Sequence, residues 1–327
     1  MKNGDQKKEK IVAVVPTYNR KELLRECLNA LLAQTYPLDS IILVDNASTD
    51  GTLEFLREKG YLDNSKIDYV RLPENIGSSG GFHEGIKRGY KKGYDWLWLM
   101  DDDGEPREDA LESLSKYFNR KDLSALACVV IDKKQNISLL HRGMIDFKII
   151  FPHIQKPLLI ENYKSRCVNV DFASFVGIMV PKKAIEKVGY PNKNFFVYHD
   201  DVEYCIRLRR IGKILLITDS IITHKEQSRT DKIKKFFLGR SSIRTPYEKF
   251  WLVCCSIRNL TWLGKKYSTN KINFYAGMLK NYFQLFGGII LFDDNKWKRI
   301  KLTTNAYLDG LKGIFDNEKP KKILYKK

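Results

Sequence analysis

Short β-branched runs alternate with longer helical periods through the first hundred residues. Ile11-Val12-Ala13-Val14-Val15 is an apolar run closed by Pro16. Between Lys21 and Gln34, Leu24, Leu28, Leu31 and Leu32 recur at helical spacing, which predicts an amphipathic helix. Ile41 to Val44 reads as a second buried strand, Gly51 to Lys59 as a helix with Asp50 a cap candidate, and Asp68 to Leu72 as a third strand. The glycine-rich loop Gly77 to Gly81 precedes a helix over Phe82 to Lys92, and Trp96 to Met100 is a fourth strand. Strands alternating with helices of this length predict βαβ units and a mostly parallel sheet flanked by helices.

Beyond residue 104 the pattern is mixed. Leu111 to Phe118 reads as helix, Leu126 to Ile131 as strand, and Val168 to Pro181 as an apolar stretch interrupted by Asp171, Ser174 and Gly177. Asp201 to Arg210 is a helix opened by acids, Lys213 to Ile217 is a strand, and His224 closes the run Ile221-Ile222-Thr223. After about residue 230 long helical periods, aromatics and lysines predominate. This gives three expected regions: a charged tail over 1–10, a catalytic α/β domain over 11–230 and a helical, basic region over 231–327. The apolar stretches Phe250 to Leu263 and Gly287 to Phe292 are short or interrupted, whereas a membrane span needs about 20 mostly apolar residues.

Composition narrows the class. A hydrophobic content of 43% with mixed charge describes a globular chain, not a disordered one. The six cysteines form no C-x-x-C pair and no zinc-type spacing with histidine, so reduced thiols in a cytosolic protein are expected. The charged tail carries no apolar signal segment. The net charge of +18 is unevenly placed. Residues 1–224 carry 34 Lys and Arg against 31 Asp and Glu, and residues 225–327 carry 23 against 8. Any nucleic-acid or membrane-surface footprint therefore falls in the last third.

The strongest chemical signal is Asp101-Asp102-Asp103 at the end of Trp96-Leu97-Trp98-Leu99-Met100. Three adjacent carboxylates repel one another unless something positive sits among them. Hard divalent cations take oxygen ligands and bridge phosphates. On an extended segment the outer two, Asp101 and Asp103, face the same side and share an ion. The rival reading is an acidic turn capping a helix near Pro106. The segment Pro16 to Arg20, the pair Asp45-Asn46 and the triple aspartate all fall at strand carboxyl ends, where parallel sheets bind ligands. Asp45 accepts bonds from a base or ribose on one reading and closes an Asx turn on the other. Asn75 to Gly81 lets backbone approach a ligand closely but lacks the P-loop and dinucleotide patterns. The second acidic cluster, His199-Asp200-Asp201-Val202-Glu203, opens a helix, where carboxylates are held as anions. One cluster suits a metal and the other a general base, although Asp200 also fits a simple cap. His224, alone after a strand, suits a ligand role or a structural one.

Together, Val14 to Arg20, Val44 to Thr52, Asn75-Ile76-Gly77, Leu99 to Asp103, His199 to Glu203 with Arg207, and His224 resemble glycosyltransferase family 2, in the family's order over residues 11–224. The resemblance implies a GT-A fold, a nucleotide-diphosphate-sugar donor, and inversion by a single displacement. It implies that Thr17, Arg20 and Asp45 hold the nucleobase and ribose, that Asn75 and Gly77 lie near the nucleotide, and that Asp102 touches the ribose or sugar. Asp101 and Asp103 would bind Mn²⁺ or Mg²⁺, with His224 completing the shell. Asp201, or its rival Asp200, would be the catalytic base and Glu203 would bind the acceptor. A narrower resemblance, to bacterial galactofuranosyltransferases and rhamnosyltransferases, rests on Asn75 to Phe82, Trp98 to Pro106 and Tyr307 to Gly313. It points to UDP-galactofuranose first and dTDP-rhamnose second. Ser174 and Phe175 stand where galactofuran polymerases carry tryptophans in the acceptor pocket, so a single-addition enzyme is expected.

The implied setting is capsule or cell-wall polysaccharide synthesis on a lipid-linked saccharide, at the cytoplasmic membrane face. The basic last third then has a use, as a peripheral contact with an anionic membrane. A nucleotidyltransferase also places nucleotide and metal at strand ends, but no Gly-rich loop with Arg and Lys follows the first strand. A non-enzymatic membrane or nucleic-acid binder leaves both acidic clusters unexplained, so no nucleic-acid partner is expected. Oligomeric state is open.

Overall fold

The computed structural model describes residues 9–148, 150–225 and 232–325. Most of the charged tail, residues 1–8, lies outside the described residues. The chain divides into two compact units. The first holds residues 1–144, 157–193 and 201–226, and the second holds 145–156, 194–200 and 227–327.

The first unit opens with β1 (Ile11–Thr17), α1 (Lys21–Leu32), β2 (Ser40–Asp45), α2 (Thr52–Glu58), β3 (Ile67–Arg71), α3 (Gly77–Lys91) and β4 (Trp96–Leu99). It continues with β5 (Gly104–Pro106), α4 (Ala110–Ser115), β6 (Leu123–Ile131) and β7 (Arg142–Ile145). After the short β8 (Gln155–Pro157) come β9 (Cys167–Val170), β10 (Phe172–Ala173), β11 (Ile178–Pro181), α5 (Lys182–Val188), α6 (Asp200–Leu208) and β12 (Lys213–His224). The main sheet runs β3-β2-β1-β4-β11-β6-β12-β5, with β9 beside β12. Strands β3, β2, β1 and β4 are parallel. Strand β11 runs antiparallel to β4 and to β6, and β12 runs parallel to β6. The carboxyl ends of β1, β2, β4 and β12 therefore share one edge of the sheet. β1 and β2 are buried along their whole length, as a parallel sheet covered on both faces requires.

Two sequence expectations shift here. Helix α3 begins at Gly77, not at Phe82. Its glycines serve packing: a Cβ on Gly81 would meet Pro16 Cβ at 2.7 Å, and one on Gly85 would meet Val14 Cγ1 at 2.3 Å. Glycines one helical turn apart let the α3 backbone lie directly on β1. The interrupted apolar stretch 168–181 resolves into three short strands. Lys213 to His224 is one long strand with a register irregularity between Ile217 and Ile221, a bulge that keeps the strand paired to its end.

The second unit contains β13 (Ile233–Phe237), β14 (Arg240–Arg244), α7 (Phe250–Tyr267), α8 (Lys271–Phe292), α9 (Lys296–Lys312) and α10 (Glu318–Tyr325). The β13–β14 hairpin is an addition to the helical expectation; its turn is Leu238-Gly239, both at positive φ. The Asn259 amide in α7 donates to the carbonyls of Phe195, Val197 and Tyr198 at 3.0 Å each. These bonds fix a segment in which Phe196, Tyr198 and His199 adopt left-handed backbone, a conformation that bulky residues hold only when the surroundings over-determine it. None of the six cysteines forms a disulfide. No helix among the described residues is long and apolar enough to cross a membrane.

Candidate active site

The triple aspartate is a tight turn, not an extended strand end. The Gly104 N–H donates to the Asp101 carbonyl at 3.0 Å, so the outer carboxylates converge because the chain folds back. The same turn delivers Gly104 into β5, where it pairs with His224 of β12. That register carries a histidine 120 residues away to the aspartates. His224 Nε2 lies 2.9 Å from Asp103 Oδ1 and 3.9 Å from Asp101 Oδ2. One donor atom from each of Asp101, Asp103 and His224 lies within 4.8 Å of the others. Lys225 anchors the end of β12: its N–H donates to the Asp103 carbonyl at 3.0 Å, and its ammonium pairs with Glu26 and Glu105.

Two carboxylates and an imidazole at a sheet edge make a donor set that fits Mn²⁺ or Mg²⁺. The protein itself supplies positive charge from Arg20, whose Nη1 reaches Asp103 Oδ2 at 2.9 Å and Asp102 Oδ1 at 3.3 Å. Thr17 Oγ1 donates to Asp102 Oδ2 at 2.7 Å. Burial pushes the Asp102 carboxyl up to about 6, with Arg20 opposing and Asp103 reinforcing the shift. Thr17 and Arg20, from the end of β1 and the start of α1, are thus both engaged with the acidic turn.

Asp45 is completely buried. It accepts from Ser48 N–H at 2.7 Å, from the Tyr69 hydroxyl at 2.7 Å and from Arg71 at 3.3 Å. Burial and Asp45 together hold the Tyr69 hydroxyl protonated. The loops after β1 and β2 are stitched by Asn19, whose backbone N–H donates to Ser48 Oγ and whose side-chain Oδ1 accepts from Thr49 N–H. Asn75 accepts from Gly77 N–H at 2.9 Å, with Gly77 at φ 78°, so this pair forms the turn that starts α3.

The second acidic cluster opens α6. Asp200 is buried and Asp201 half-buried, its Oδ1 accepting from the next N–H. Glu203 is buried against Arg207 of the same helix, with contacts at 2.6 to 3.0 Å, and Arg207 also donates to the carbonyls of Val188 and Tyr190. Ser174 Oγ bonds His141 Nδ1 at 2.8 Å. Phe175 is core, its ring 4.7 Å from that of Phe82.

Four contributors had no motif in the sequence. The His141 ring lies edge-on to His224, with centroids 5.0 Å apart. Burial, helped by His224 and Arg142, pushes its pKa down to about 3, which leaves it neutral. Arg142 is buried and donates to the carbonyls of Cys128, His141 and Val176. Tyr69 and Arg71, two apart on β3, meet Asp45 from one face; that alternation was the available signal.

A sheet flanked by helices, with an acidic turn at its carboxyl edge, is the layout of the GT-A glycosyltransferases. The chain belongs to glycosyl transferase family 2, whose model matches residues 12–189. It is 28% identical over 244 residues to the galactofuranosyltransferase GlfT1 of Mycolicibacterium smegmatis, covering 73% of this chain and 78% of that one. It is 27% identical over 311 residues to the dTDP-rhamnosyl transferase RfbF of Shigella flexneri, covering 93% and 96%. In fold it is similar to the mannosyltransferase PcManGT of Pyrobaculum calidifontis, solved with GDP-Man and Mn²⁺, at a TM-score of 0.55 and 14% identity over 94% of this chain and 76% of that one. The protein is a glycosyltransferase with relatives in bacterial polysaccharide synthesis.

Proposed function

We propose that this glycosyltransferase is an inverting, cation-dependent enzyme that adds one sugar to a lipid-linked oligosaccharide at the cytoplasmic face of the membrane. The observation that carries the reading is the convergence of Asp101, Asp103 and His224 at the sheet edge. In this reading these three residues hold Mn²⁺ or Mg²⁺, which when bound offsets the charge on a departing diphosphate. Thr17, Arg20, Asp45, Asn75, Gly77 and Asp102 form the donor side. Arg20 neutralises the turn, and Asp45, fixed by Tyr69 and Arg71, shapes the floor for nucleoside. Asp201, with Asp200 as its rival, takes the proton from the acceptor hydroxyl, which attacks the anomeric carbon from the face opposite the leaving group. Residues 11–230 carry this chemistry. Glu203, Ser174 and Phe175 form the acceptor side, and 231–327 hold the acceptor or an anionic membrane.

UDP-galactofuranose is the first donor by the triple aspartate and the likeness to the galactofuranosyltransferase. dTDP-rhamnose is the second, favoured by the longer match to the rhamnosyl transferase. A thermal-shift screen of UDP-, dTDP- and GDP-sugars with and without Mn²⁺ decides between them, because a ligand that binds only the folded state raises its apparent stability. Asp201→Asn is expected to keep donor binding and lower transfer by about 10²–10⁴-fold, the usual share of a general base. Lost donor binding with normal turnover of the remainder would remove Asp201 from that role.

A further inference from the structure

Helix α8 places Ile272, Tyr275, Leu279, Phe283, Phe286 and Ile290 at intervals of three and four residues, and all six are exposed. At about 100° per residue these positions form one stripe, about 27 Å long at 1.5 Å rise per residue. Residues 281–292 contain no charged side chain. The adjoining side of α8 is already used: Phe274, Met278 and Ile289 are buried, and Tyr282 rests on Tyr307 and Thr304 of α9. The stripe is therefore a second apolar face that packing within the unit leaves to solvent. Contiguous exposed apolar surface of this kind marks an interaction site.

The hairpin adjoins the carboxyl end of α8, through the Phe237–Phe292 ring contact and the Arg244–Asp293 ion pair. Its tip carries Leu238, 86% exposed and at φ 44°, beside Phe236, 71% exposed. A two-residue hairpin turn with positive φ favours Asn or Gly, so neither local geometry nor the core explains a leucine there. Trp297, 82% exposed, lies in the first turn of α9. The same elements carry Lys234, Lys235 and Arg240 of the hairpin, Lys271 and Lys280 of α8, and Lys296, Lys298 and Lys301 of α9.

We infer that the α8 stripe and the Leu238 hairpin tip enter the interface of an anionic bilayer. Charge selects this occupant over a second copy of the chain. Two copies facing through α8 would bring together two regions of net +15, whereas acidic headgroups complement the lysines while the apolar groups pass below them. The inference deepens the reading above, in which the acceptor is held by a membrane, and adds an insertion step to an electrostatic one. Binding begins with charge and persists through apolar burial.

The test is flotation of the full chain with phosphatidylcholine vesicles, with and without phosphatidylglycerol. The comparison variant is Leu279→Asn/Phe283→Ser, uncharged and exposed, so that folding and charge steering are kept. The wild type is expected to float with anionic vesicles and to stay bound when salt is raised after binding. The variant is expected to need at least about tenfold more lipid and to be released by salt. Wild type and variant floating alike would overturn the inference, as would a wild type that does not float. So would sedimentation showing that the two substitutions split a solution dimer, which would assign the stripe to a second copy. Donor hydrolysis without acceptor is expected to be equal in both proteins. Its absence from the wild type would strike the transferase reading and leave the flotation result standing by itself.

Discussion

Asp45, Asp102, Asp103 and Arg142 are buried in the first unit, while Phe236, Phe283 and Trp297 are exposed in the second. These two sets of side chains are handled in opposite ways. In the first, each of these charged groups is met by hydrogen bonds or opposite charge, as low-dielectric surroundings demand. That arrangement costs stability and holds geometry, which suits the donor site proposed above. In the second, aromatics that would strengthen a core lie outside it, on elements rich in lysine. That arrangement contributes little to folding and suits a surface that meets something apolar and acidic.

The contrast yields graded expectations. Asp103→Asn should lower transfer by about 10³-fold or more, since charge stabilisation at a developing anion is worth several kcal/mol. It should also remove the rise in melting temperature on adding Mn²⁺; a variant that keeps both would dissolve the distinction between the units. Next come the aromatics. Trp98→Ala, in the first unit's buried strand, should cost about 3–5 kcal/mol in chemical unfolding. Phe283→Ser, 64% exposed, should change stability by no more than about 0.5 kcal/mol. Equal costs would mean that the α8 stripe is core after all.

The pH response lies between these two. Burial, with His153 adding, holds the His199 pKa down to about 4, against 6.5 in the unfolded chain. Between those values the unfolded state binds the extra proton, so stability falls as pH drops from about 6.5 to about 4, by up to about 3 kcal/mol from this group. His199→Asn, tolerant of the left-handed backbone there, should flatten that slope. An unchanged slope would place the acid sensitivity elsewhere.

The triple aspartate, the strand-helix alternation and the basic last third were readable because each is a local pattern. Helix α3's start was misread because glycines signal both ligand approach and close packing, and only the position of β1 beneath Gly81 and Gly85 tells which. Ser174 and Phe175 carried no local signal of where they go. The fold turns one to His141 and buries the other on Phe82.

The sequence by itself determined that strands would deliver polar groups to one sheet edge, because hydrophobic period and turn residues are local. It also determined the charge asymmetry, which is a count. Only the tertiary structure decided that His224 meets Asp103, since that depends on the β5–β12 register across 120 residues. Tertiary packing alone also decided that α8 has two apolar faces and buries one of them. Periodicity reports that a residue is apolar; what covers it is settled by the elements packed against it.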